Sequence, residues 1–359
     1  MKTVTKLLSL AIALCLCGQV SAIETDEAAT IKDTSTSIMG INHIGLSVKN
    51  LDETLAFYQE ATGFELVRRD KVSTNKDADA LYGHDGVAYE IAVLKAPNMQ
   101  FELIEFKHNE HASRQRTPVS GSGMTHTCFQ SPSTDSGWDK FIKAGASPLS
   151  RGAEPIDLGG YGITYGYAYD SEGNMMELEQ LDVEILRRVQ KDKTWEEFSE
   201  VMWMTQVALV THDIERLMKY YESMLGFQPF RVADISGKPK FDEIVDIDDV
   251  KMLGGWFKMD QASKMMEFWQ FINPVTAEFK SERDATTMGY SFSLEVGDIQ
   301  KEYQRLTGLG VDFISKPVKL GGFWQVYARD PDSNIFSLRQ VVDVDSEYSV
   351  QKMDISKLD

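Results

Sequence analysis

The stretch that decides the fold of this chain occurs twice. Residues 42–51 read NHIGLSVKNL, and residues 205–214 read TQVALVTHDI. Each alternates in the manner of a β-strand with one buried face and then enters a helix behind a natural N-cap, Asn50 or Asp213. Both predicted helices stop at a Gly-Phe pair, where glycine favours helix termination. The chain therefore contains an internal repeat whose second copy begins past its middle.

A second repeat is nested inside the first. Residues 125–129, THTCF, correspond to residues 290–294, YSFSL, and each stretch again predicts a strand followed by a helix. These segments close with similar turn-and-strand sequences, DSEGNMME at 170–177 and DPDSNIFS at 330–337. The sequence therefore predicts an α+β fold of four βαβββ modules.

Composition and charge narrow the function classes. The chain has 359 residues, of which 42% are apolar and 26% charged, as in an ordinary globular protein of about two domains. Its net charge of −18 repels phosphate backbones and anionic headgroups, which argues against nucleic-acid and membrane partners. A small molecule is the expected partner.

The two ends and the middle of the chain differ in composition from the modules. Lys2 and Lys6, an apolar run over residues 7–17 and small residues before position 23 predict a cleaved secretory signal and hence a periplasmic or secreted protein. The predicted segments are a signal peptide at 1–22, a disordered N-terminus at 23–38, a first domain at 39–184, a helical linker at 185–202, a second domain at 203–342 and a C-terminal tail at 343–359.

Three short motifs resemble a known superfamily. They are INHIGL at 41–46, FELIE at 101–105 and EGNMMEL at 172–178, and they resemble the vicinal oxygen chelate superfamily of glyoxalase I, extradiol dioxygenases, methylmalonyl-CoA epimerase and fosfomycin resistance proteins. The resemblance covers residues 39–182 well and 203–342 more weakly. It implies two domains of paired modules, each a curved mixed β-sheet with helices on the outer faces, around one divalent metal. Because four modules can pair internally, a monomer is slightly favoured over a homodimer.

The resemblance also implies metal ligands on the first and last strands of each module. In the first two modules these positions hold His43, Glu102, His126 and Glu177. Two imidazoles and two carboxylates suit nickel, cobalt, iron, manganese or zinc. The matching positions of the second half predict a degenerate copy of the site, since they hold Gln206, Glu267, Ser291 and Ser337.

The alternative is that the second module pairs with the third instead of with the first. Such a pair would present His126, Glu177, Gln206 and Glu267. We favour the first set, because two imidazoles bind such a metal more strongly than one imidazole and one amide.

Three functions follow from such a centre. In the first, the metal binds two neighbouring oxygens of a small substrate and stabilises an enolate, while Glu102 or Glu177 acts as base, giving lyase, isomerase or epimerase chemistry. The glyoxalase reaction itself needs a glutathione adduct, which an exported protein rarely meets. The second is an extradiol-type dioxygenase with ferrous iron on His43, His126 and Glu177. The third is a secreted protein that binds a metal or small ligand without turnover.

The remaining candidates have a structural and a functional interpretation each. Tyr165, Tyr167 and Tyr169 alternate along one strand and either pack or place phenols in the cavity. His84 lies in a glycine-flanked loop, where it is either a surface residue or a proton-transfer group. We expect Cys128 to be a small buried residue, and the core to include Trp256, Trp269 and Trp324.

Overall fold

A computed structural model describes residues 35–109, 116–189, 200–259, 265–343 and 346–352. The predicted signal peptide at 1–22 lies outside the described residues, and so do most of the predicted linker and the end of the tail. Across the described ranges, no helix has the length and apolar character needed to cross a membrane.

The described chain falls into four successive segments in which a strand and a helix precede further strands. The first module comprises β1 (Ile38–Ser47), α1 (Leu51–Thr62), β2 (Glu65–Val72), α2 (Lys76–Tyr82), β3 (Tyr89–Lys95) and β4 (Gln100–Phe106). The second comprises β5 (Gly123–His126), β6 (Cys128–Pro132), α3 (Gly137–Lys143), β7 (Ser147–Pro148), β8 (Ile156–Asp157), β9 (Ile163–Tyr169) and β10 (Met175–Leu181). Helix α4 (Val183–Val189) follows it, at the start of the predicted linker.

The second half has the same order of elements. The third module comprises β11 (Trp203–Met204), β12 (Gln206–Val210), α5 (Ile214–Leu225), β13 (Arg231–Asp234), α6 (Pro239–Val245), β14 (Lys251–Lys258) and β15 (Met265–Asn273). The fourth comprises β16 (Gly289–Val296), α7 (Ile299–Gly308), β17 (Asp312–Phe313), β18 (Val318–Leu320), β19 (Phe323–Arg329) and β20 (Ile335–Val341).

The repeated helices begin and end as the sequence predicts. The side chains of Asn50 and Asp213 accept hydrogen bonds from backbone N–H groups in the first turns of α1 and α5. Gly63 and Gly226 follow these helices with φ of 71° and 78°, a left-handed conformation that glycine adopts without steric cost. The local signals of the repeat are therefore confirmed.

The modules pair out of sequence order. Strand β1 of the first module pairs antiparallel with β16 of the fourth, and one sheet runs through both modules in the order β17-β19-β20-β16-β1-β4-β3-β2. Strand β5 of the second module pairs antiparallel with β12 of the third. The α+β class with curved mixed sheets is confirmed, but the favoured pairing of the first module with the second is wrong.

The first and second modules contact each other through helices α1 and α3 and through the turn before β10. Phe57 of α1 packs edge-on against Phe141 of α3, with ring centroids 5.9 Å apart. The Tyr58 hydroxyl donates to Oδ2 of Asp170, in the turn before β10, at 3.1 Å. These contacts leave the edge of β1 to pair with β16 of the fourth module and the edge of β5 to pair with β12 of the third.

Both ends of the described chain pack on the fourth module. The backbone N–H of Ser37 donates to Oε2 of Glu302 at 2.9 Å, and that of Val350 donates to Oε2 of Glu295 at 2.8 Å. The predicted N-terminal disorder therefore does not extend to Ser37, and part of the predicted C-terminal tail is held in place.

The strand register defines corresponding positions in the two module pairs. Gly45 lies opposite Ser291, as Ala208 lies opposite His126. Ser337 of β20 lies beside Ser293, as Glu177 of β10 lies beside Cys128. Ser291 and Ser337 therefore occupy, in one module pair, the positions that His126 and Glu177 occupy in the other.

The close approach of Gly45 and Ser291 gives a test of this pairing. A Cβ atom on Gly45 would lie 2.5 Å from the Ser291 hydroxyl oxygen. We expect Gly45→Ala to lower the free energy of unfolding by about 1–3 kcal/mol through overpacking, and Ser291→Ala in the same chain to recover most of it. Urea unfolding measures both effects. A double variant no more stable than Gly45→Ala alone would contradict the pairing of β1 with β16.

Candidate metal centre

A buried group of three side chains meets where the second and third modules join. His126 ends β5, Glu177 lies in β10 and Glu267 lies in β15. Nε2 of His126 is 3.1 Å from Oε2 of Glu177 and 3.6 Å from Oε2 of Glu267. One ligand atom from each residue lies within 4.8 Å of the others. This spacing allows all three to bind a single ion.

Gln206 completes the group. It begins β12, and its Nε2 donates to Oε2 of Glu177 at 2.9 Å and to Oε2 of Glu267 at 3.0 Å. Its Oε1 accepts a hydrogen bond from the Thr205 hydroxyl at 2.7 Å. A half-turn of the amide would present Oε1 to an ion between the two carboxylates. We call His126, Glu177, Gln206 and Glu267 the metal centre.

Two aromatic residues orient the carboxylates of the metal centre. The Trp256 indole N–H donates to Oε1 of Glu267 at 2.8 Å. The Tyr167 hydroxyl lies 3.5 Å from Oε2 of Glu177, and its ring meets the His126 imidazole nearly perpendicularly. Partners of this kind fix the direction of a metal ligand. Trp256 lies in the core, as expected, and its indole N–H also orients a carboxylate of the metal centre.

The other two tyrosines of β9 have separate roles. The Tyr165 ring packs edge-on against Phe241, and the Tyr169 hydroxyl donates to the backbone carbonyl of Thr117. The Tyr167 hydroxyl is the phenol shown hydrogen-bonded to Glu177 of the metal centre.

The charges in the metal centre are unbalanced. Burial alone would lower the pKa of His126, but the hydrogen bonds and charges of Glu177 and Glu267 outweigh it and raise this pKa to about 9. Burial raises the pKa of Glu177. Two buried carboxylates thus face one imidazolium. A divalent cation in place of the proton would balance them, so the donor set fits a bound metal.

A further carboxyl group lies beside the metal centre. Glu179 is two residues beyond Glu177 on β10, and its carboxyl accepts hydrogen bonds from the side chains of Gln130 and Cys128. Burial raises the pKa of Glu179 to about 8 and that of the Cys128 thiol as well. Cys128 is buried, as expected. The sequence analysis missed Glu179, although the two-residue period of a strand places it on the same face as Glu177.

His43 and Glu102, the favoured partners of His126 and Glu177, lie in the other module pair. Nε2 of His43 is 3.2 Å from Oε2 of Glu102, whose two oxygens accept from Nη1 and Nη2 of Arg339 at 2.6 and 3.0 Å. Among the described residues, neither belongs to a group of three or more metal-ligand side chains. The favoured ligand set is therefore divided between two places, because β1 pairs with β16.

The chemistry around Glu102 also differs from that of a general base. Burial alone would raise the pKa of Glu102, but the adjacent Arg339 charge lowers it to about 2. Burial, reinforced by Arg339, lowers the pKa of His43 to about 3. Glu102 is thus a carboxylate held by a guanidinium, and the expectation that it serves as a catalytic base beside Glu177 is corrected.

His84 lies outside the metal centre as well. Its ring stacks on His108 with centroids 5.1 Å apart, and Nε2 of His108 is 2.9 Å from the Thr286 hydroxyl. These contacts give His84 a place on a half-exposed surface between the first and fourth modules.

Comparison with known proteins agrees with this architecture. A family model of the Glyoxalase/Bleomycin resistance protein/Dioxygenase superfamily matches residues 40–178, and a second model of the same superfamily matches residues 205–327. The chain belongs to this superfamily. The resemblance carried by the three short motifs is thereby confirmed.

Individual members of the superfamily are similar at low identity. The chain is 24% identical over 189 residues to the lactoylglutathione lyase of Arabidopsis thaliana, a match covering 53% of this chain and 55% of that protein. It is 24% identical over 148 residues to the ethylmalonyl-CoA/methylmalonyl-CoA epimerase of Cereibacter sphaeroides, covering 39% of this chain and 97% of the epimerase. The chain thus spans about half the length of the lyase.

A solved structure shares the fold. Glyoxalase I from Zea mays superimposes with a TM-score of 0.56 at 18% identity, covering 89% of this chain and 96% of that one. At this identity the likeness concerns the architecture of the superfamily.

Proposed function

We propose that this protein is a divalent-metal-dependent enzyme that binds a small substrate through two neighbouring oxygens and stabilises an enolate, as a lyase, isomerase or epimerase. The convergence of His126, Glu177 and Glu267 from three strands into one buried group carries the proposal. Imidazole with carboxylate and amide oxygens suits nickel, cobalt, iron, manganese or zinc.

In this proposal the two carboxylates of the metal centre have different roles, one as a fixed ligand and one as a base. A bound divalent ion supplies Lewis-acid stabilisation of an oxyanion. Glu267 is held at both oxygens, by Trp256 at Oε1 and Gln206 at Oε2, which suits a fixed ligand. Within the described residues, His126, Tyr167 and Gln206 contact Glu177 at Oε2. We assign Glu177 as the base that removes a proton from the carbon beside the substrate carbonyl.

The named relatives support this reaction class. One is a lyase and the other an epimerase, and inversion at a carbon centre requires a proton to leave that carbon and return. A dioxygenase with His43 and His126 on one ferrous iron is not proposed, because His43 lies with Glu102 and Arg339 in the other module pair.

We also propose that the protein is exported, because residues 1–22 have the pattern of a secretory signal.

Hydrogen exchange tests the assignment of Glu177. The metal-loaded protein is incubated in D₂O with hydroxyacetone and acetoin, which carry neighbouring oxygens, and loss of the proton beside the carbonyl is followed by NMR. We expect Glu177→Gln to slow exchange at least about a hundredfold, the lower end for general-base catalysis. Glu154→Gln, which changes an exposed carboxylate, serves as the control.

Two outcomes would contradict the proposal. Exchange that persists in Glu177→Gln would exclude this residue as the base. One metal per chain and tight binding of either compound, without any exchange, would indicate a binding protein.

A further inference from the structure

A pocket of about 220 Å³ lies between the first and fourth modules. We call it the arginine pocket, and the side chains that matter most to its chemistry are Arg68, Glu102, Phe323, Gln325, Tyr327 and Arg339. Glu102 lies beside Gly45 as Glu267 lies beside Ala208. The arginine pocket is therefore the counterpart of the metal centre in the other module pair.

Two metal-ligand positions of this counterpart hold serine. Ser291 corresponds to His126, and Ser337 corresponds to Glu177. The Ser337 hydroxyl donates to that of Ser293 at 2.9 Å and accepts from Nε2 of Gln325 at 3.1 Å. Neutral hydroxyls bonded to one another are poor ligands for a transition metal.

Arg339 supplies a permanent positive charge in the same place. It lies two residues beyond Ser337 on β20, as Glu179 lies two residues beyond Glu177 on β10. Its Nη atoms donate to both oxygens of Glu102 and to Oε1 of Gln325. A guanidinium, which cannot lose its proton in a protein, thus stands where the other module pair has a metal-ligand cluster.

One donor of Arg339 is unused. Its Nε is buried and has no hydrogen-bond partner among the described residues. The side chain as a whole is only 4% exposed. A buried donor without an acceptor carries an uncompensated desolvation cost. An acceptor on a bound ligand would remove this cost.

The charges of the arginine pocket favour an anion. Arg68 and Arg339 lie near the same Phe323 ring, at 5.5 and 4.6 Å from its centroid. Lys71 also lines the pocket and pairs with Glu90 at 2.9 Å, while Arg68 pairs with Asp70 and Arg339 with Glu102. A carboxylate ligand would accept a charged hydrogen bond from Nε of Arg339, which these pairs leave unused.

The remaining lining of the pocket favours an apolar body. It is formed by aromatic and aliphatic side chains, namely Leu81, Tyr82, Tyr89, Ile91 and Tyr327. The Tyr82 ring stacks on Tyr327 with centroids 5.1 Å apart. The pocket is smaller than the range of about 300–1,000 Å³ typical of drug-sized ligands, so its ligand has to be small.

We propose that the arginine pocket binds a small organic carboxylate with an apolar or aromatic body, and that it does so without a metal ion. The site is separate from the metal centre and does not rest on the enzymatic function proposed for it.

Calorimetric titration with three probes tests the chemistry of the ligand. Phenylacetate carries both the carboxylate and the apolar body, acetate lacks the body, and phenylacetamide lacks the charge. We expect phenylacetate to bind once per chain and each of the other two at least about tenfold more weakly, the factor expected for loss of a charged hydrogen bond or a buried ring. Equal binding of phenylacetamide, or no binding of phenylacetate at millimolar concentration, would overturn the proposal.

Variants locate the bound probe. Arg68→Gln changes a partly exposed side chain. We expect it to lower the affinity for phenylacetate at least about tenfold. Arg339→Lys keeps the buried charge but loses the planar donors, and we expect a similar loss. Glu177→Gln, in the metal centre, should leave the affinity unchanged. Affinity lost in Glu177→Gln and kept in Arg68→Gln would place the probe at the metal centre and overturn the proposal.

Discussion

His126→Ala is expected to lower the affinity of the protein for a divalent metal by more than about a hundredfold. Changes to residues that only orient a metal ligand cost about 10–100-fold, and His126 supplies the one imidazole of the metal centre. Metal content by elemental analysis and competition with a chelator measure the loss. The fold is expected to persist, because the pair of carboxylates can share the proton that His126 now holds.

His43→Ala is the matched control for this experiment. His43 is as buried as His126 and also faces a glutamate, at 3.2 Å, but in the other module pair. We expect this variant to keep its metal. Gln206→Ala, which removes a group contributed by the third module, is expected to weaken metal binding. Metal lost in both His43→Ala and His126→Ala would support the ligand set favoured from the sequence, which contains both imidazoles, and metal retained in His126→Ala would contradict the metal centre.

Arg339→Met is expected to lower the free energy of unfolding by about 3–5 kcal/mol, as when one partner of a buried ion pair is removed. The Glu102 carboxylate, 2% exposed, would then keep His43, among the described residues, as its partner at Oε2. Urea unfolding measures the effect. Arg329→Met, which removes an arginine paired with the exposed Glu282 and Asp312, is the control, with an expected loss of about 1 kcal/mol or less.

The stability loss in Arg339→Met should depend on pH. In the native chain the pKa of Glu102 is lowered to about 2, so its ion pair stabilises the fold above the pKa of an unfolded glutamate, about 4.3, and less as pH falls toward 2. The difference between the two proteins should therefore shrink from pH 6 to pH 3. Glu102→Gln in the same chain as Arg339→Met should recover much of the loss. A difference constant with pH would contradict the role of the ion pair.

Local features of the fold could be predicted because they depend on neighbouring residues. Asn50 and Asp213 cap their helices through side chains that reach only the next turn. His126 and Glu177 were identified under either module pairing, and the structure brings them together. The superfamily was recognisable for the same reason, since its motifs are short and contiguous.

The partners of His126 and Glu177 could not be predicted, because the identity of these partners depends on which strand edges meet. The edges of β1 and β12 have the same local pattern, and ligand strength favoured His43 over Gln206 although topology decides the question. Arg339 was missed for a related reason. Its role appears only once β20 lies beside β16 and β16 beside β1.

The pairing of the first module with the fourth also governs the order in which the chain can fold. The edge of β1 has its partner only in β16, more than two hundred residues later. During synthesis, that edge stays open until the last quarter of the chain is available, and open strand edges promote aggregation. Such long-range pairing also slows folding, because the chain loses the entropy of loop closure before the stabilising contacts form. A chain truncated before β16 would therefore lose the closing strand of its first sheet and become a substrate for chaperones.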